Sequence, residues 1–223
     1  MEKTFAQTNA ALARYAIETF QPQDDVLNEI LKRASSAGLP DIHVSPMDGL
    51  HLEVIARAIG AKKIVEIGTL AGYSGVCLAR ALPKDGKLFT FEYEPKHVQI
   101  AAETFKKADA EHQVEIFIGT AIENLKKIES QGPFDLIFID ADKISYPAYL
   151  DWAANHLRIG GVVLADNTFA FGMIANTNID PQSEMAPNVN ALRKFNQQAA
   201  SSKRFRSTIL PTGEGLTMAV KLH

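Results

Sequence analysis

The 223-residue chain has a single cysteine, Cys77, so no intrachain disulfide can form. No Cys/His spacing makes a zinc site either. A lone cysteine within an apolar helical pattern reads as a small buried residue rather than a reactive thiol. A basic excess is also missing: 23 Lys and Arg stand against 26 Asp and Glu, giving −3 at pH 7. Nucleic-acid binders tend to carry a basic excess or a clustered basic face, so this balance argues against such a partner. No apolar run is long enough to span a bilayer. The stretch from Met1 to Phe20 is broken by Glu2, Lys3, Arg14 and Glu18, so neither a signal peptide nor a membrane segment is expected there. A cytoplasmic location is the default expectation. Repeats, low-complexity tracts and Pro/Gly/Ser linkers are lacking, and the six histidines show no ligand spacing. One domain over residues 1–223 is expected, with 46% hydrophobic residues to build its core.

The pattern that is present divides into N-terminal helices over 1–60 and an α/β core over 61–223. Phe5, Leu12, Tyr15 and Ile17, then Val26, Leu27, Ile30 and Leu31, recur at roughly helical spacing. Gly38 and Pro40 end the second helix, and Ser45-Pro46 supplies the cap and first turn of a third. From Lys62 onward short apolar runs alternate with helical patterns. Strands are predicted at Lys63–Ile67, Lys87–Glu92, Val114–Ile118, Phe134–Ile139 and Gly161–Ala165. The helices between them fall at Tyr73–Leu82, Pro95–Ala110, Ala121–Glu129 and Tyr146–Leu157. Such a βαβ series makes a parallel sheet covered on both faces. Arg204–Leu210 and Leu216–Leu222 read as an antiparallel pair closing one edge.

Ligands of doubly wound sheets bind beyond the C-terminal strand ends. Four of the five strands end in or next to an acid: Glu66, Glu92, Asp140 and Asp166. Turn formers and a few helix caps would not require that concentration. The first turn, Glu66-Ile-Gly68-Thr-Leu-Ala-Gly72-Tyr-Ser74, is Gly-x-x-x-Gly rather than the Gly-x-Gly-x-x-Gly that seats a pyrophosphate on a helix N-terminus. This speaks against a dehydrogenase. A carboxylate beside the turn repels phosphate and suits a cation, such as the ammonium and sulfonium of S-adenosylmethionine. Glu92, 24 residues after Gly68, is placed to accept both ribose hydroxyls.

The segments Val44–Gly49, Val65–Ser74, Phe134–Lys143, Gly160–Asn167 and Leu210–Thr217 resemble the cation-dependent O-methyltransferase family that includes caffeoyl-CoA and catechol O-methyltransferases. The likeness covers nearly the whole chain beyond its first forty or so residues. The Asp-Ala-Asp-Lys and Asp-Asn motifs are its specific part; many methyltransferases share the glycine turn. The resemblance implies a doubly wound, Rossmann-like methyltransferase fold and a homodimer with the N-terminal helices near the substrate entrance. It also implies that Glu66, Gly68, Thr69 and Ser74 hold the methionine part of S-adenosylmethionine, with backbone contacts from Val44. Glu92 would then hold the ribose, and Ala121 would offer its N–H to adenine.

Adjacent parallel strands lie about 4.8 Å apart, so Asp140 and Asp166-Asn167 emerge side by side. Two carboxylates and an amide are hard oxygen ligands that suit magnesium, or another divalent cation such as Mn2+ or Ca2+. The resemblance assigns the same three residues to the metal. Asp140 then serves the cofactor pocket, the metal and the reaction together. A divalent cation chelated by two adjacent oxygens of an aromatic diol would lower the phenol pKa and fix its geometry for attack on the sulfonium methyl. Lys143, three residues after Asp140, is the candidate general base; Asp142 supports the neighbouring residues. Tyr149 and Trp152 read as packing. The acceptor is expected to be a small catechol-like or hydroxycinnamoyl aromatic. A modified tRNA nucleoside is the alternative acceptor, and a cofactor-binding module without turnover is the non-enzymatic one. The complete Asp140, Lys143, Asp166 and Asn167 set speaks against the latter.

Two places depart from the family pattern. The segment after Asp166-Asn167 reads Thr168-Phe-Ala-Phe-Gly-Met173, with Phe171 where caffeoyl-CoA enzymes tend to have asparagine. Asn190 stands where an arginine is often found. Phe169, Phe171 and Met173 could pack under the loop or line an apolar pocket. Both departures weaken the case for a CoA ester, whose phosphates need cationic partners.

Overall fold

The computed structural model describes residues 10–223. Three helices precede the sheet: α1 (Ala10–Phe20), α2 (Asp25–Ser36) and α3 (Pro46–Ala58). Phe5 lies outside the described residues. In α1 only Ala13 is buried, while Leu12, Tyr15 and Phe20 are exposed, so its apolar pattern does not face the core. The α2 N-terminus is capped by Asp24, whose carboxylate accepts from the Leu27 N–H. Ser45 caps α3 by accepting from the Asp48 N–H, with Pro46 in the first turn. Proline there sacrifices only an N–H that has no intrahelical partner.

The core runs β1 (Lys63–Ile67), α4 (Tyr73–Ala81), β2 (Lys87–Glu92), α5 (Pro95–Lys107), β3 (Val114–Ile118), α6 (Ala121–Asn124), β4 (Phe134–Ile139), α7 (Tyr146–His156), β5 (Leu157–Ala165), α8 (Ala186–Ser201), β6 (Phe205–Leu210) and β7 (Leu216–Lys221). The seven strands are ordered β3-β2-β1-β4-β5-β7-β6. The first five are parallel, and β7 runs antiparallel to both β5 and β6. The order reverses between β1 and β4, which opens the crevice where such folds bind ligands.

Side-chain alternation divides the core into two layers. Ile64, Leu136, Phe138, Val162 and Leu164 pack with α2, α3, α4 and α5. Val65, Ile67, Ile137, Ile139, Val163 and Ala165 pack on the other face with α7 and α8. Each fully buried aliphatic or aromatic side chain contributes about 1.5–3 kcal/mol. Glu66 falls in the first layer by alternation, which turns a carboxylate into an apolar interior.

Two predicted elements are revised and one is added. β5 begins at Leu157 rather than Gly161. Its first residue pairs with Phe134 before a register shift, so Gly160 lies within the strand instead of before it. The helix predicted over Ala121–Glu129 is one α-helical turn followed by a 3-10 segment, Leu125–Gln131. Helix α8 was not predicted. Among the described residues, no helix is long and apolar enough to cross a membrane.

Candidate active site

The turn after β1 passes so close to the end of β4 that only glycine fits. Gly68 has φ +104°, and a Cβ there would lie 2.0 Å from the Asp140 carbonyl oxygen. Gly75, in the first turn of α4, leaves room for Glu66: a Cβ would meet the Glu66 carboxylate at 2.9 Å and the Phe105 ring at 2.7 Å. Beyond these turns lies a cavity of about 690 Å³. Of the predicted site residues, Val44, Gly68, Thr69, Ser74, Glu92, Ala121, Asp140, Lys143 and Asn167 border it.

Glu66 does not. It is fully buried, and its oxygens accept from Ser74 Oγ and Thr90 Oγ1, each at 2.6 Å. Burial outweighs those two hydrogen bonds and raises its pKa from 4.5 to about 7. Any effect of Glu66 on a ligand therefore passes through Ser74, which does line the cavity. Val44 is engaged as well, its carbonyl oxygen lying 2.7 Å from His43 Nδ1.

The Glu92 carboxylate is held by the turn itself. One oxygen accepts from the Thr69 and Leu70 N–H groups at 3.2 and 2.8 Å, and the other from the Glu94 N–H at 3.0 Å. His97 Nδ1 is 3.2 Å from that second oxygen. His43 and His97 border the cavity, although no histidine shows ligand spacing in the sequence. Tyr149 borders it too, donating its hydroxyl to Asp142 at 3.0 Å, while Trp152 packs against Phe134 as expected. Ala121 starts α6 at the cavity wall, where a first-turn N–H has no intrahelical partner.

At the acceptor side, β4 and β5 are adjacent with Ile139 opposite Ala165, so Asp140 and Asp166 follow at neighbouring strand ends. Asp166 N donates to Ile139 O at 3.0 Å. Asp166 is buried just behind the cavity, and one oxygen accepts the Asn167 N–H at 2.7 Å. Burial, and then the negative charges of Asp140 and Asp48, push its carboxyl well above the usual range. Asp48 was not expected near the site; it is buried at the start of α3 and accepts from Ser45 Oγ at 2.6 Å. Lys143 Nζ contacts Asp140 Oδ1 at 3.0 Å and Tyr146 Oη at 2.7 Å. Among the described residues no three His, Cys, Asp or Glu side chains cluster as a metal site, so the candidate set depends on the Asn167 amide.

Of the two loop aromatics, Phe171 borders the cavity and Phe169 does not. Phe171 is 59% exposed with φ +54°. The Phe169 ring lies under Gly215, where a Cβ would meet it at 2.6 Å. Arg193 on α8 supports this loop, donating to the Ile174 carbonyl oxygen at 3.0 Å.

A sheet with a β1/β4 crevice, a glycine turn and paired strand-end acids is the architecture of a class I methyltransferase. The O-methyltransferase family profile matches residues 17–222. A catechol O-methyltransferase of Niastella koreensis is 41% identical over 190 residues, covering 84% of each chain. One from Mycobacterium tuberculosis is 38% identical over 75% of this chain and 76% of its own. The crystal structure of an O-methyltransferase from Bacillus cereus in complex with SAH superposes with TM-score 0.86 at 37% identity, over 97% of this chain and 99% of that one. The chain belongs to the O-methyltransferase family and is an S-adenosylmethionine-dependent O-methyltransferase.

Proposed function

We propose that the enzyme methylates one hydroxyl of a small aromatic with two adjacent hydroxyls, a catechol or hydroxycinnamoyl compound, with the aid of a divalent cation. The observation that carries this reading is that Asp140, Lys143 and Asn167 border one cavity together with the glycine turn, with buried Asp166 at the neighbouring strand end. Magnesium is the first candidate, with Mn2+ or Ca2+ as alternatives.

The residues fit such an ion. Asp166 is a buried acid next to a second carboxylate, its Oδ1 accepting the Asn167 N–H, and a cation would relieve the repulsion between the two acids. Asp140, Asp166 and Asn167 would hold it. When bound, a divalent cation supplies Lewis acidity that lowers the pKa of a phenol.

On the donor side, Ser74, backed by the Glu66 carboxylate, lies where the methionine ammonium would sit. Glu92, fixed by three backbone N–H groups, faces the ribose, and the Ala121 N–H faces the adenine. Val44 and the Gly68-Thr69 backbone close the methionine end. On the acceptor side, Lys143 accepts the proton of the attacking hydroxyl, and Phe171 offers an aromatic surface to a flat ring. The enzyme works as a homodimer in this reading, and the exposed Leu12, Tyr15 and Phe20 of α1 are apolar surface that a second copy could cover.

The test compares a catechol with its monophenol analogue, each with S-adenosylmethionine. The catechol should be methylated with far higher kcat/KM, because a monophenol cannot chelate through two oxygens. Equal rates would overturn the chelation reading.

A further inference from the structure

Tyr146 is the first residue of α7 and is fully buried. Its hydroxyl accepts a hydrogen bond from Lys143 Nζ at 2.7 Å. Its own proton is shared between the Ile139 carbonyl at 3.2 Å and the Asp166 carbonyl at 3.0 Å. One oxygen therefore ties the candidate base to the ends of both strands that carry the acceptor-side acids. A phenol hydroxyl has one proton to donate and lone pairs to accept, so it can play both parts. The ring is held independently by an edge contact with Phe195, at 5.4 Å between centroids.

Tyr146 lines no part of the cavity, whereas Lys143 and Asp140 both do. Lys143 is the cavity-lining side chain that the Tyr146 hydroxyl contacts directly. The amino nitrogen has three positions beyond Cε. Asp140 Oδ1 occupies one at 3.0 Å and Tyr146 Oη a second at 2.7 Å. A third is left for the cavity.

We propose that Tyr146 is a positioning residue for methyl transfer: its hydroxyl and the Asp140 carboxylate hold Lys143 Nζ so that its remaining position faces the acceptor hydroxyl. This rests on the reading of Lys143 as the base. Without the Tyr146 anchor, a side chain with four rotatable bonds would sample orientations in which that position misses the acceptor, and placement errors of about 1 Å can cost 10²-fold in rate.

A double-mutant cycle provides the test. Tyr146→Phe keeps the ring and its contact with Phe195 while removing the hydroxyl. It should lower kcat about 10-fold or more, with the KM for S-adenosylmethionine and the Kd for S-adenosylhomocysteine within about twofold of the parent. In a Lys143→Ala background the same change should have no further effect on kcat. Tyr146→His, which keeps a polar ring atom, is run in parallel as a second variant, and its loss too must vanish in that background. A loss in kcat that persists without Lys143 would show that Tyr146 acts on the fold and overturns the proposal, as would an unchanged kcat in Tyr146→Phe alongside a crippled Lys143→Ala. An unchanged kcat in Lys143→Ala itself would instead remove the base reading, and the proposal with it.

Discussion

Glu66 and Ser74 meet at 2.6 Å with the Glu66 carboxylate fully buried, so the serine is the only member of the pair that borders the cavity. The pairing has a pH signature. The Glu66 pKa stands at about 7 in the folded protein against an ordinary 4.5. Between those values the folded state keeps a proton that the unfolded chain has released. Stability therefore falls as pH rises through this window and levels off above it. The difference of 2.5 units corresponds to about 3 kcal/mol as an order of magnitude. Glu66→Gln should flatten that part of the stability curve, read from urea midpoints between pH 4.5 and 8. An equally sloped curve in the variant would exclude Glu66 as the cause.

Binding should draw on the same proton. A methionine ammonium beside Ser74 favours ionised Glu66, so S-adenosylhomocysteine should release protons on binding near pH 6. Calorimetry in two buffers of different ionisation enthalpy measures the number directly. Proton uptake would contradict the placement of the ammonium at this end.

Lys143→Ala should lower kcat by about 10²-fold or more, the usual scale for a general base. Affinity for S-adenosylhomocysteine should hardly change, because the lysine touches Asp140 and Tyr146 rather than the glycine turn. Lost cofactor affinity with intact kcat would make Lys143 a binding residue.

Chelation with EDTA should abolish turnover and magnesium should restore it. Asp166→Ala should be inactive yet folded, since it removes a buried acid whose ionisation the fold disfavours. Full activity in the chelated enzyme is the result that would sink the metal assignment.

The two loop phenylalanines should separate cleanly. Phe169→Ala removes a ring packed under Gly215 and should cost about 1–3 kcal/mol of stability, less than the loss for a fully buried ring. Phe171 has φ +54°, a conformation asparagine tolerates well. Phe171→Asn should therefore keep the melting temperature while raising KM for free catechols. The parent enzyme should prefer catechols to caffeoyl-CoA in kcat/KM, and the variant should narrow that gap. A parent that strongly prefers the CoA ester would refute the aromatic-pocket reading.

Much of this architecture is legible in the chain. Buried parallel strands read as continuous apolar runs, so the bounds of β1, β2 and β4 follow directly, and the acids at their ends mark the crevice. Helix α8 carried a usable signal in Val189, Leu192, Phe195 and Ala199, but its surrounding asparagines and glutamines masked it. The start of β5 reads as Gly161 rather than Leu157 because a register shift is invisible without the partner strand. Asp48 and Tyr146 escape a sequence reading for one reason. Each matters through a residue distant in sequence or through a backbone carbonyl, and local periodicity does not encode such meetings. Glu66 was recognised as part of the site, but its retreat behind Ser74 depends on which face of β1 it occupies.

A Cβ at position 68 would lie 2.0 Å from the Asp140 carbonyl oxygen, so glycine there lets the donor turn and the acceptor-side strand end pack directly against each other. A change in the donor turn cannot be made without disturbing the strand end that carries Asp140. Position 171 borders the cavity outside this close contact. Substitution there should shift acceptor choice while leaving binding of the methyl donor unchanged.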